Sequence, residues 1–269
     1  MLTTFSRFAG RAQPDPMLVA AMQPTYLPWL GYFDLLDQVN LFVLLESVQF
    51  EKQSWQQRNR LRTPNGLEWL TVPVLISGRF GQCIDSVQIK VGEFPTKHLK
   101  TVRQHYGRCK YFEQYWPEFQ RIMLEAEEHA SLAELNIWLL RWLADCLGIT
   151  TPIMRTTEVY RGNASRSDRL VEILQRVGAD VYLSPRGSLE YLEADREVFS
   201  RAGIPVVFQT FDHPTYLQRY QPFMVGASAI DLLFNEGPGA LSIIRSGRRQ
   251  SESLDDIIQK KDMVDEARQ

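Results

Sequence analysis

The chain has 269 residues, 23% of them charged, and a formal net charge of -2. That length fits one large α/β domain or two small ones, and the near-balanced charge supplies no global basic field for a nucleic-acid partner. Cys83, Cys109 and Cys146 are too few and too widely spaced for a disulfide framework or a cysteine zinc site, so a reducing, cytoplasmic setting is expected.

Residues 1–17 carry Arg7 and Arg11 without the apolar segment of a secretory signal, and read as a loose leader. The apolar run Leu18–Met22 stops at Gln23-Pro24. Pro24 and Pro28 constrain the loop that follows, and Gly31 permits close backbone approach before the helix-like 32–36. A strand ending in a constrained turn that opens a helix is where α/β folds bind small molecules. A rigid surface turn with its aromatics tucked into the core is the other reading. Residues 40–46 read as a second, buried parallel strand. After the polar-aromatic block 48–62, the Asn65-Gly66 turn leads into a strand at 67–74, with a further strand at 86–91.

A helix at 95–106 would carry Lys97, Lys100 and Arg103 along one side, and apolar residues three and four apart place helices at 111–128 and 132–147, the last stopped by Gly148. Trp138 to Trp142 is short and carries Arg141, which fits a buried amphipathic helix; no run approaches bilayer length. A short strand at 151–157, a helix at 167–177, a strand at 180–184, a helix at 189–193, a strand at 204–210 and a helix at 229–234 follow. This alternation predicts an α/β fold: a mainly parallel sheet flanked by helices, with an antiparallel hairpin near 60–91 and a helical insertion at about 95–147. The fold is expected to occupy 18–240 as one domain. The charged stretch 241–269 reads as a surface helix or a partly ordered tail.

The segment Gln23-Pro24-Thr25-Tyr26-Leu27-Pro28-Trp29-Leu30-Gly31-Tyr32-Phe33 resembles the hallmark of the WbqC-like protein family. The resemblance continues through 49–60, 69–74, Asp168-Arg169-Leu170, 178–184 with Tyr191, 213–218 and 228–237, and so covers roughly 18–239. Where some members carry His, this chain has Met22, which argues against a universal catalytic role there. The resemblance implies a place in surface-polysaccharide or modified-sugar synthesis. A second similarity, to nucleotidyltransferases of the HIGH type, is confined to the strand, the Gln23-Pro24 turn and Gly31. Aromatic residues replace both phosphate-contacting histidines of that motif.

Several residues can carry chemistry. On an extended segment Arg58, Arg60 and Arg62 share one face, and a guanidinium fork suits phosphate or carboxylate. Trp55 can stack on a base or sugar, with Asn59 beside it. A solvated strand face with ordinary salt bridges is the alternative. Ser167 or Asp168 caps a helix, or else Arg169 points to a phosphate at its start. Ser184 begins a loop placed to wrap a ligand, but lacks the flanking glycines of a nucleophile elbow. His213, next to Tyr216 and Gln218, is the acid–base candidate; a structural histidine is the competing role. Asp231 and Asn235 share a helical face and can orient His213, bind hydroxyls or merely brace loops. His98, His105 and His129 form no metal signature.

These residues, with the resemblance, imply a group-transfer enzyme acting on an activated sugar or related anionic metabolite. His213 would be the general base with Asp231, and Arg58, Arg60 and Arg169 would neutralise phosphate or carboxylate. Gln23, Tyr26, Trp29, Tyr32, Trp55 and Asn59 would line the substrate site. Ser184, Tyr191, Tyr216, Gln218 and Asn235 would complete it. No cofactor, metal, nucleic acid or membrane span is expected; the partners would be the small-molecule substrate and enzymes of a polysaccharide pathway. The alternative is a non-catalytic protein that binds a nucleotide-sugar or glycan intermediate and presents it to a partner enzyme.

Overall fold

The computed structural model describes residues 15–266 apart from 91, 93, 130 and 165, so most of the expected leader lies outside the described residues. At its centre is a six-stranded sheet. Its members are β1 (Leu18–Met22), β2 (Leu41–Leu44), β5 (Ile153–Arg155), β6 (Val181–Ser184), β7 (Val206–Phe211) and β8 (Arg248–Ser253), in the order β5-β2-β1-β6-β7-β8. Every neighbouring pair is parallel except β7 with β8. β3 (Arg58–Thr63) and β4 (Gly66–Thr71) form a separate antiparallel hairpin, closed by Pro64 and Asn65 with Thr63 opposite Gly66.

The inner strands are covered on both faces. Val19 and Ala21 of β1 enter one core and Ala20 the other; Leu41 and Val43 of β2 part from Phe42 and Leu44 in the same way. Alternate residues point to opposite faces, so two cores demand an unbroken apolar run. The larger core takes α1 (Leu30–Asp37), α2 (Thr96–Tyr106), α3 (Phe112–His129), α4 (Leu132–Leu147), α9 (Ala229–Glu236) and α10 (Ala240–Ser246). The smaller takes α5 (Thr156–Val159), α6 (Arg166–Arg176), α7 (Leu189–Ala194), α8 (Arg196–Ala202) and α11 (Leu254–Glu266). The Ser131 side chain caps α4 by accepting from the Glu134 amide, and Gly148 ends it in the left-handed region at φ 77°.

The mainly parallel sheet, the hairpin and the helical insertion are as the sequence predicts. Three segments differ. The strand expected at 86–91 is not found over its described residues 86–90, which instead follow a 3-10 turn at Ile84–Ser86 and make isolated bridges, Val74 to Ile89 and Gln88 to Ser131. Pro73 accepts from the Lys90 amide but has no N–H to extend that ladder. α8 continues helical structure past α7 where the sequence reading stops. The charged stretch after 245 supplies β8 as well as α11. Arg248 to Ser253 holds no apolar residue, yet an edge strand needs only backbone pairing, and charged side chains protect its open side.

The chain runs from β1 to β2 on one side and later returns to place β6 on the other side of β1. The strand order therefore reverses between β1 and β6. The carboxyl ends of β1, β2, β5, β6 and β7 all lie on one edge of the sheet.

Candidate functional site at the carboxyl edge of the sheet

The loop after β1 is held by buried amides. Leu27 adopts a left-handed conformation, φ 45°, which costs a non-glycine residue about 1–2 kcal/mol. The Asn59 amide donates to the carbonyls of Tyr26 (3.2 Å) and Leu27 (2.8 Å), and the Asn136 amide to those of Pro24 (3.1 Å) and Gln56 (2.8 Å). Tyr26 and Tyr32 are core residues: the Tyr26 hydroxyl lies 2.9 Å from His98 Nδ1, and the Tyr32 hydroxyl donates to the Gln23 carbonyl at 3.1 Å. Burial holds both phenols far above their ordinary pKa, so they stay neutral. Tyr26, Tyr32 and Asn59 thus set the shape of the loop from within.

The outer side of the loop borders a crevice of 330 Å³. β1 and the turn after it contribute Met22, Gln23 and Thr25, the 51–56 turn contributes Glu51, Ser54, Trp55 and Gln56, and the segment after β6 contributes Pro185, Ser188 and Tyr191. The crevice opens where the strand order reverses, which is where open α/β sheets bind ligands. Gln23 Oε1 accepts from Gln56 Nε2 at 2.7 Å, and buried Gln56 Oε1 accepts from the Glu51 amide at 3.0 Å, so both side chains are fixed. Tyr191 is 44% exposed. Its phenol is pushed up by burial, against hydrogen bonding with Ser188 and Tyr182, and is a neutral donor at physiological pH. Ser184 is fully buried behind it, its hydroxyl 3.5 Å from the Pro185 carbonyl.

Trp55 also belongs to a stack on the hairpin. Its ring centroid lies 5.2 Å from that of Trp69, and each tryptophan is 47% exposed. The Arg58 guanidinium sits 4.1 Å from the Trp69 ring; that of Arg60 sits 5.5 Å from Trp55 and 5.6 Å from Trp69. Among the described residues neither arginine has a carboxylate partner within 4 Å. Arg62 departs from the shared face the sequence suggests. It is 1% exposed, its guanidinium donating to the carbonyls of Thr63 and, at 2.8 Å, of Pro222, because the loop at 216–224 folds over that end of the hairpin.

His213 follows the carboxyl end of β7 on the same edge. Its ring stacks near Trp29 (6.3 Å, 17°) and Tyr216 (6.3 Å, 25°), with Phe223 at 5.9 Å. Nδ1 lies 2.9 Å from the Pro214 carbonyl and so carries the proton, which leaves Nε2 as a buried lone pair without a partner. Burial lowers the pKa, so the neutral base form dominates at neutral pH. Asp231 does not bond to His213. Its Oδ2 accepts from the Tyr216 hydroxyl (2.6 Å) and Gln218 Nε2 (2.9 Å), and Tyr216 stands between the carboxylate and the imidazole. Burial drives the Asp231 pKa up to about 6, opposed by those two bonds and the Arg62 charge. The Asn235 amide donates to the Asp231 backbone carbonyl at 2.7 Å.

Arg169 lines a second cavity, of 390 Å³, which shares Leu45 with the crevice. Its Nε donates to the Ala164 carbonyl (2.9 Å) and its Nη1 to that of Ser47 (2.6 Å), so the side chain pins two loops together. The crevice thus brings together Gln23, Trp55 and Tyr191, with Arg60 against Trp55, while His213, Trp29 and Tyr216 form a separate aromatic group that does not line it. Glu51, the carboxylate of the crevice, and Ser54 and Ser188 line it without a sequence signal that singles them out. Glu51 lies within the polar-aromatic block, and only the loop's return to β1 brings it to the crevice. Among the described residues no His, Cys, Asp or Glu cluster is arranged to hold a metal ion, and no helix is long and apolar enough to cross a membrane.

Fold and crevice together define an α/β protein with a ligand-sized crevice at the switch point of its sheet. The chain belongs to the WbqC-like protein family, whose model matches residues 23–243. It is 33% identical over 232 residues to the uncharacterized protein Rv1507c of Mycobacterium tuberculosis, an alignment covering 86% of this chain and 99% of that relative. No solved structure matches the chain significantly.

Proposed function

We propose that the chain is a group-transfer enzyme that binds an activated sugar or related anionic metabolite in the crevice between β1 and β6, within surface-polysaccharide or modified-sugar synthesis. The observation that carries this reading is the double membership of Trp55. It lines the crevice and also stacks beside two guanidiniums that lack a carboxylate partner among the described residues. A sugar ring packs against the indole and Tyr191, Gln23 and Glu51 take its hydroxyls, and Arg58 and Arg60 neutralise the phosphate. His213 is the proposed general base, through Nε2. The test is a thermal-shift screen with nucleotide-sugars and neutral glycans on the wild type and on Arg58→Ala and Arg60→Ala. Stabilisation by the anionic ligands alone, lost in the variants, is the expected result; stabilisation by neutral glycans alone sinks the phosphate assignment.

A second reading, binding without catalysis, is favoured by one observation. His213 Nε2 is sealed among aromatic rings, whereas a working base must come within hydrogen-bond reach of its proton. Under this reading the same ligands bind, but the wild type forms no product from them.

A further inference from the structure

A third cavity, of 500 Å³, lies beside β4 and is lined by Trp69, Thr71, Lys90, Phe94, Lys97 and His98, among others. Lys90 and Lys97 are exposed, and among the described residues neither ammonium has a carboxylate within 4 Å. Among the described residues Glu68 is the carboxylate on the rim, and its Oε1 accepts from the Thr63 hydroxyl at 3.0 Å. His98 adds no charge. Burial lowers its pKa to about 4, and its ring nitrogens face the Tyr26 hydroxyl at 2.9 Å and the Thr71 carbonyl at 3.0 Å. The cavity is therefore basic and has a wall that does not exchange protons near neutral pH, which suits holding an anion more than reacting with one.

Trp69 connects this cavity to the crevice. It lines the lysine cavity, Trp55 lines the crevice, and the two indoles are in contact at 5.2 Å, with Arg58 and Arg60 lying over them. We infer that the lysine cavity is a second anion subsite, which takes the phosphate- or carboxylate-bearing end of a co-substrate whose other end meets the crevice across the Trp55–Trp69 pair. Two half-exposed rings offer a continuous apolar path for the intervening part of such a molecule, and the guanidiniums line that path with positive charge. Its role as a co-substrate site rests on the crevice being a ligand site; anion binding at the lysines does not.

The test is calorimetric titration of inorganic pyrophosphate and of uridine diphosphate onto the wild type, Lys90→Ala/Lys97→Ala, and Arg60→Ala with Tyr191→Ala. Both lysines are exposed, so the double variant keeps the fold, which circular dichroism checks. Pyrophosphate affinity is expected to fall about tenfold or more in the lysine variant, since charge-assisted contacts are lost, while uridine diphosphate affinity is retained. Pyrophosphate binding that is absent from the wild type or indifferent to the lysines overturns the second subsite. Uridine diphosphate binding indifferent to Arg60 and Tyr191, with lysine-dependent pyrophosphate binding intact, overturns the crevice reading instead.

Discussion

Replacing Asp231 with Asn tests the buried network behind the aromatic group. Unfolding exposes Asp231, whose ordinary pKa is 3.8, whereas burial raises it to about 6 in the native chain. Between those values the folded state holds a proton that the unfolded state releases. The contribution of this group to stability is therefore fully present well below pH 3.8 and is lost as pH rises through 6. At about 1.4 kcal/mol per pKa unit the loss over that whole range totals about 3 kcal/mol, and above about pH 7 it is complete. Asn cannot titrate but keeps an oxygen that can accept from Tyr216 and Gln218. Urea unfolding of both proteins at half-unit steps from pH 4 to 7.5 supplies the assay, because other titrating groups cancel in the difference. Wild-type stability minus variant stability is expected to fall by about 2 kcal/mol between pH 4 and 6 and to level by about pH 7. A flat difference, or one rising with pH, refutes the assignment of a raised pKa to this carboxylate.

In Gly31→Ala the new methyl would lie 2.3 Å from the Trp29 ring. The half-exposed indole is expected to swing off the His213 face at a cost of about 1–3 kcal/mol, seen as a red-shifted tryptophan emission and a lower melting temperature. Arg155→Ala strands Glu46, which is fully buried and 2.7 Å from the guanidinium. Because Arg155 is a quarter exposed and the Thr157 hydroxyl still donates to Glu46, the expected loss is about 2–3 kcal/mol, short of the ~3–5 for a fully buried pair, read by urea unfolding. If His213 is the base, its lowered pKa keeps it neutral at pH 6.5. The acid limb of the turnover profile is then expected below 6.5, and His213→Ala should cut turnover strongly with an unchanged fold; a limb centred above 6.5 or an active variant removes it from the mechanism.

What could be read from the sequence follows from how local each cause is. β1 and β2 are legible because two cores impose apolar runs on contiguous residues, and α4 because a 3.6-residue period, a serine cap and Gly148 all lie within it. Arg58 and Arg60 are legible as a pair because period-2 geometry is local. Arg62 is not, because Pro222, some 160 positions away, covers it. β8 lacks an apolar signature because edge pairing is made by backbone atoms. In the site, family motifs mark Gln23, Trp55 and Tyr191, which three separate chain segments bring to one crevice. The same motifs equally mark Tyr26, Tyr32 and Asn59, whose work is to hold the loop from the core side. Residue type does not separate a wall of a pocket from its support. Only burial and hydrogen-bond partners do, as the hydroxyls of Tyr26 and Tyr32 show by turning inward to His98 and the Gln23 carbonyl.

The most direct test of the account is a crystal structure of the chain soaked with a nucleotide-sugar that raises its melting temperature. The sugar ring is expected against Trp55 and Tyr191 between the ends of β1 and β6, with phosphate oxygens within hydrogen-bond distance of Arg58 or Arg60. A ligand found in the cavity beside Arg169, or anywhere else that leaves Trp55 and both arginines untouched, contradicts the assignment of the switch-point crevice as the substrate site.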